Sequence, residues 1–275
     1  FYVLGDVLGS GIYVLIGLVA GAVGGAFWAA FAVGVTVATI TGLAYAELVT
    51  KYPQAAGAAL YVNKAFKNKT LTFFITFCML SASYAAAGSL ATGFAQYFGE
   101  VWEAAPALVV ALGFIVALAI INFIGITESV VANMIMTFVE VTGLVIVLVI
   151  GVVATAQGKV DFGRITEFST DSNPALGLLA GVALAFFAMT GFENAANLAE
   201  ETRNPRRDFP RALIGGMATA GVLYVLIAVT AAITVPIKQL AESDAALLEV
   251  VKTGILPLSV AVLTIIFAII AMVAI

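Results

Sequence analysis

Histidine is absent from the 275-residue chain. Imidazole-based catalysis, proton relay through imidazole and metal ligation by it are therefore excluded. Cysteine occurs once, as Cys78, so no intrachain disulfide can form. Placed inside an apolar run, it reads as a small core hydrophobe. Charge is scarce, at 10% of residues, and the formal net charge of −4 excludes nucleic acid as a partner. There is no Walker-type loop and no GxGxxG fingerprint. Gly9-Ser10-Gly11 lacks the third glycine, and no strand precedes it. No cleavable leader is expected, because the first apolar run lacks a basic segment before it and a small-residue cleavage site after it.

What the chain has in excess is apolar sequence, 63% of its residues. No soluble domain has this composition, so an all-α polytopic membrane protein is expected. A span needs about 20 apolar residues. Eight segments qualify, near 1–24, 27–50, 71–99, 106–125, 129–157, 174–199, 210–235 and 255–275. The polar stretch from Gln157 to Asn173 divides them into 1–157, with five helices, and 174–275, with three, joined by an extracellular connection over 158–173. Gln239 to Lys252 reads as a short surface helix. The chain begins and ends inside apolar runs, which predicts a fragment of a longer protein.

Orientation follows from the basic residues. Lys51, Lys64, Lys67, Lys69, Arg203, Arg206, Arg207 and Arg211 fall on one side. Lys159, Arg164, Lys238 and Lys252 fall on the other. The richer side is assigned to the cytoplasm, together with the N-terminus. The first helix then runs outward and the sixth inward.

Two of the spans carry interruptions. Phe187-Ala188-Met189-Thr190-Gly191-Phe192-Glu193 places a glycine and a carboxylate in the middle of the sixth. A charge at that depth costs about 2.5–3.5 kcal/mol on insertion scales, and a helical glycine costs about 1 kcal/mol. The first span is disturbed in the same way at Gly9-Ser10-Gly11, with Asp6 one turn earlier. Broken helices at membrane depth line sites, and two in antiparallel spans point to a transporter built from inverted repeats. The free N–H groups of one break attract an anion, and the free carbonyls of the other attract a cation. Gly9, Ser10 and Gly11 would hold a carboxylate, and the backbone from Phe187 to Gly191 an ammonium. An amino acid has both charges. For each glycine alone, close helix packing is an equal reading, and for Gly17, Gly21 and Gly25, spaced by four, it is the preferred one.

Among carboxylates within the spans, Asp6 and Glu140 are candidates for proton coupling, since a carboxylate at membrane depth can load and release a proton. A purely structural role, bonded to backbone, stands beside this for Glu140. Glu193 either caps backbone freed by the break or holds a gate. Glu47 and Glu128 lie near span ends and read as solvated.

At these residues the chain resembles the amino acid–polyamine–organocation superfamily of amino acid permeases. Gly9-Ser10-Gly11-Ile12-Tyr13-Val14 is similar to its first-helix signature. Ala44-Tyr45-Ala46-Glu47-Leu48, with Tyr52-Pro53 and Gly57, is similar to its second-helix signature. Phe187-Ala188, Gly191-Phe192-Glu193, Ala199-Glu200-Glu201, Asn204-Pro205-Arg206 and Pro210-Arg211-Ala212 resemble the sixth helix and its loop. The resemblance implies a LeuT-type inverted five-helix repeat with discontinuous first and sixth helices, working by alternating access. It implies that Ser10 and Gly11 bind the substrate carboxylate and that carbonyls of Phe187, Ala188 and Thr190 bind the α-amino group. Phe192 resembles the aromatic residue near the gate, and Ser83 and Tyr84 align with positions facing the substrate. The side-chain pocket is expected to be lined by Val7, Leu8, Ser83, Ala87, Gly88, Met189 and Thr190.

The chain also departs from the family pattern. Some proton-coupled relatives carry a lysine in the fifth helix where Glu140 stands, which favours carboxylate-based coupling here. Heteromeric relatives use a cysteine in the loop after the third helix. Cys78 lies within that helix, so no disulfide-linked partner subunit is expected. The chain is thus expected to be a multi-pass protein of the plasma membrane, not an enzyme, that uses no cofactor. It would move an amino acid or related amine by proton-coupled symport or exchange, with sodium as the other candidate ion. The competing reading is a membrane sensor that binds amino acids without net transport.

Overall fold

The computed structural model describes residues 2–8, 11–55, 57–124, 126–169, 173–197 and 204–275, with backbone alone at 2 and 126–130. No strand occurs among them. The helices are α1 (Tyr2–Leu8), α2 (Gly11–Val23), α3 (Phe27–Lys51), α4 (Gly57–Phe66), α5 (Lys69–Gly99), α6 (Ala107–Ile124), α7 (Ile126–Ala156), α8 (Pro174–Ala188), α9 (Phe192–Ala195), α10 (Pro205–Thr234), α11 (Ile237–Glu242), α12 (Ala246–Lys252) and α13 (Val260–Ala274). Seven spans among the described residues are long and apolar enough to cross a membrane. The eighth expected span is the exception. Its helix α13 has 15 residues, which at the helical rise is about 22 Å, short of a bilayer core.

The core is built where small residues let helices approach. α10 packs along α3, and α8 packs on both α2 and α3. A Cβ added at Gly34 would come within 2.9 Å of Ala185, so only glycine admits α8 at this distance. Phe27, Phe31, Ile227 and Ala231 fill the space between. α6 buries no residue, and Phe73, Phe77, Leu108 and Phe123 stand exposed on α5 and α6. The described residues leave these faces uncovered, and such faces are at no disadvantage in hydrocarbon. Cys78 lies there too, exposed, contrary to its expected place in the core. The turn of α5 that carries it faces away from the neighbouring helices.

The expected surface helix over 239–252 is two helices: α11 buries only Leu240 and exposes Lys238, Gln239 and Glu242, whereas α12 is largely buried. Leu240, Leu247, Leu248, Val250 and Val251 are nearly inaccessible. α11 and α12 fold onto α2, where Gly17 presents bare backbone to the Leu240 carbonyl, 2.7 Å from where a Cβ would stand. The apolar side chains of α12 leave it no solvent-facing stripe wide enough for a surface helix. The polar residues collect at the rim. There Lys252 bridges Glu100 at 3.0 Å and Glu249 at 3.2 Å, and Gln239 Nε2 donates to Glu249 Oε2.

Candidate functional site: two helix breaks around a cavity

The sixth span breaks where the sequence predicts. α8 ends at Ala188, and Met189 N and Thr190 N donate to the carbonyls of Phe186 and Phe187, tightening the last turn. Thr190 Oγ1 donates to the Phe187 carbonyl at 2.7 Å. Gly191 follows at φ 125°, a conformation L side chains avoid. The chain then re-enters helix at Phe192, and Glu193 Oε2 accepts from Gly191 N at 2.9 Å. Glu193 is therefore a cap of the second break.

Two contacts join the residues that flank the two interruptions. A Cβ on Gly11 would lie 2.5 Å from the Ala188 carbonyl, and one on Gly191 would collide with the Asp6 carbonyl. The start of α2 thus lies on the end of α8, and α1 lies on the turn before α9. The chain directions oppose each other across the contact. Gly9 and Ser10 lie outside the described residues.

A cavity of about 130 Å³ opens at this contact, lined by Asp6, Val7, Gly11, Val14, Leu15, Ala86, Ser89, Leu90, Phe187, Ala188, Thr190, Gly191 and Asn194. A second, of about 150 Å³, continues from it past Phe187 and Thr190 to Tyr45, Met79, Ser83 and Glu193. Ser83 lines this second cavity, and Tyr84 lines neither of the two. It is 75% exposed, because adjacent helical residues point about 100° apart and the inward stripe of α5 runs through Met79, Ser83, Ala86 and Leu90. For the same reason Ala87 and Gly88 stand exposed, and Ala86, Ser89 and Leu90 line the cavity. Met189 is fully buried in the core, and Leu8 is as well. Phe192 is 2% exposed and meets the Tyr45 ring edge-on at 5.5 Å. Tyr45 in turn meets Tyr61 of α4 at 5.8 Å, where burial pushes the Tyr61 hydroxyl above its ordinary 10.0. These rings close the second cavity on the Glu193 side.

Asp6 borders a third cavity, of about 350 Å³, together with Asn133, Thr137 and Glu140. Glu140 is 2% exposed. Oε1 of Glu140, Oδ2 of Asp6 and Oδ1 of Asn133 have no hydrogen-bond partner among the described residues. The structure therefore separates the two coupling candidates in position. Asp6 borders both the break and the outer cavity, and Glu140 borders only the latter. Glu47 pairs with Lys51 at 2.7 Å in an exposed position, as a solvated carboxylate would. The side chain of Glu128 lies outside the described residues.

Comparison with known proteins adds the decisive observation. The model of the amino acid permease family matches residues 1–275. The chain belongs to the amino acid permease family, within the amino acid–polyamine–organocation superfamily. This family member is 29% identical over 270 residues to "Cationic amino acid transporter 9, chloroplastic" of Arabidopsis thaliana, covering 90% of the chain and 46% of that protein. It is 26% identical over 261 residues to the branched-chain amino acid permease BcaP of Bacillus subtilis, covering 88% and 54%. It is 29% identical over 222 residues to the L-methionine/branched-chain amino acid exporter YjeH of Escherichia coli, covering 80% and 51%. The chain thus spans about half the length of these relatives.

One residue at the site escaped sequence reasoning. Tyr224 of α10 is fully buried and donates toward the carbonyls of Val7 at 2.9 Å, Leu8, and Ala188 at 3.2 Å. The available signal was a lone tyrosine in an apolar span, which must find a partner for its hydroxyl.

Proposed function

We propose that this chain forms the substrate-handling part of a secondary active transporter that moves amino acids by alternating access. The observation that carries the reading is the contact of the start of α2 with the end of the oppositely directed α8, beside a cavity. The N-terminus of α2 offers N–H groups to a carboxylate at Gly9, Ser10 and Gly11. The C-terminus of α8 offers the carbonyls of Ala188 and Thr190 to an ammonium group, and that of Phe187 once Thr190 Oγ1 turns away from it. The architecture is a LeuT-type inverted repeat, with residues 1–157 as the first repeat, 158–173 as an extracellular connection and 174–275 as part of the second. The N-terminus is cytoplasmic and the membrane is the plasma membrane.

The lining of Val14, Leu15, Ala86 and Leu90 suits an aliphatic, neutral side chain. Two of the relatives are named for branched-chain amino acids. Phe192 and Glu193 form the gate region, with Ser83 on the wall beside it. Transport is coupled to protons, and Asp6 and Glu140 carry them: both border the third cavity, and each keeps a buried oxygen without a hydrogen-bond partner among the described residues.

The test is uptake of a labelled amino-acid panel into liposomes containing the intact protein. An inward proton gradient, a sodium gradient and no gradient are compared. The expected result is proton-driven uptake of neutral aliphatic amino acids that is lost in Glu140→Gln. Unchanged uptake in that variant assigns Glu140 a structural role. Saturable binding without uptake under any gradient replaces the transporter by the sensor.

A further inference from the structure

A backbone clamp works only if its two ends are held at the spacing of the ligand. The spacing here is set on one side by the contact of Gly11 with the Ala188 carbonyl. On the other side stands Tyr224. Its hydroxyl has one proton, and three carbonyls converge on it: Val7 and Leu8 from the end of α1, and Ala188 from the end of α8. The Ala188 carbonyl lies at a helix end, where the intrahelical N–H partners run out. The ring is held edge-on by Phe31 of α3 at 6.0 Å, and the residue is inaccessible to solvent.

We propose that Tyr224 is a positioning residue for substrate binding: one hydroxyl joins the carbonyl end of the first half-helix to that of the second, and so fixes the distance between the carboxylate and ammonium subsites. The inference rests on the zwitterion clamp proposed above and goes beyond it. Without the hydroxyl, three carbonyl dipoles face one another with no donor between them and move apart. The Ala188 carbonyl, which also faces the cavity, then loses its aim.

The consequence is specific to ligands held at both ends. A zwitterionic amino acid needs both subsites at the correct spacing, whereas an amine without the carboxylate uses only the carbonyl side. Tyr224→Phe keeps the ring and removes only the hydroxyl. In the intact protein in liposomes, this variant should raise KM about tenfold for every amino acid transported, as expected for the loss of one or two hydrogen bonds. Maximal rate should change far less. Competition by the matching decarboxylated amine should weaken no more than about twofold, a spread smaller than one net hydrogen bond. Tyr97→Phe is the control. Tyr97 is equally buried and donates to the Tyr13 carbonyl at 3.1 Å, away from the α8 break, so it should lower melting temperature without changing KM. Phe31→Leu, which loosens the ring but keeps the hydroxyl, should give a milder shift of the same pattern and serves if Tyr224→Phe does not accumulate.

An unchanged KM in Tyr224→Phe overturns the proposal. Equal weakening of amino acid and amine overturns it too, because that is the pattern of general destabilisation. If the unmodified protein neither binds nor transports any amino acid, the clamp reading itself has failed, which is a different result.

Discussion

Gly191 shows how one residue fixes the site. Its φ of 125° lies where an L side chain is strained, and a Cβ there would collide with the Asp6 carbonyl. Gly191→Ala therefore meets two penalties, of about 1–3 kcal/mol for the backbone alone. The expected outcome is loss of uptake with reduced thermal stability in detergent. Wild-type transport by that variant would mean that the break is not held as described. Glu193→Ala removes only a cap, at a cost of about 0.5–2 kcal/mol, and should leave a folded, less stable protein. The glycine was legible because its cost in an apolar helix is visible in sequence. Tyr224 was not, because its importance lies in carbonyls contributed by residues 216 and 36 positions away. The place of Tyr84 outside both cavities has a related cause: a motif alignment gives the neighbourhood of a helical residue, but a shift of one position turns a side chain by about 100°.

At the scale of the element, hydropathy located the spans within a few residues, because few other patterns give about twenty consecutive apolar residues. It failed at α12. Short apolar helices between spans have the same composition whether they lie on the surface or fold back, and only the bare backbone of Gly17 on α2 decides for burial. The polar rim of α12 makes a testable contribution. Lys252 is partly buried, which by itself lowers its pKa, but its bonds to Glu100 and Glu249 outweigh this and hold it above the ordinary 10.5. A raised lysine contributes stability that is complete below its unfolded value and is lost as pH rises through the folded one. The bridge from α12 to the end of α5 should therefore be intact at neutral pH and weaken above about pH 10.5. Such part-exposed pairs are worth about 0.2–1 kcal/mol. Glu100→Gln should lower the melting temperature by a few degrees near neutral pH and by less once the lysine has lost its proton. A difference that stays constant with pH would assign the effect to packing.

For the whole molecule, composition and the two interruptions pointed to an all-α membrane protein with two broken spans; the structure is all-helical among the described residues, and Gly11 and Asp6 lie against the break after Ala188. Composition alone supports that much, since a chain with so little charge has few other ways to satisfy its backbone. Which face of α5 looks inward and how α1, α7 and α10 surround the breaks depended on packing between distant segments. Orientation is the property on which the direction of every proposed step depends. The basic residues divide eight to four between the two sides, and the bias favours Lys67 inside and Lys159 and Lys238 outside. All three are exposed, and the native thiol at Cys78 can be removed because it too is exposed and packs in no core. In a Cys78→Ser background, single cysteines at positions 67, 159 and 238 of the intact protein should divide cleanly. An impermeant maleimide added to whole cells should label 159 and 238, and position 67 only after permeabilisation. The reverse pattern would invert the assignment, so that the Glu193 side of the breaks, closed by Tyr45 and Tyr61, would open to the outside. Labelling of all three without permeabilisation would contradict an odd number of crossings between Lys67 and Lys159, and with it the separation of α5, α6 and α7 into three full spans.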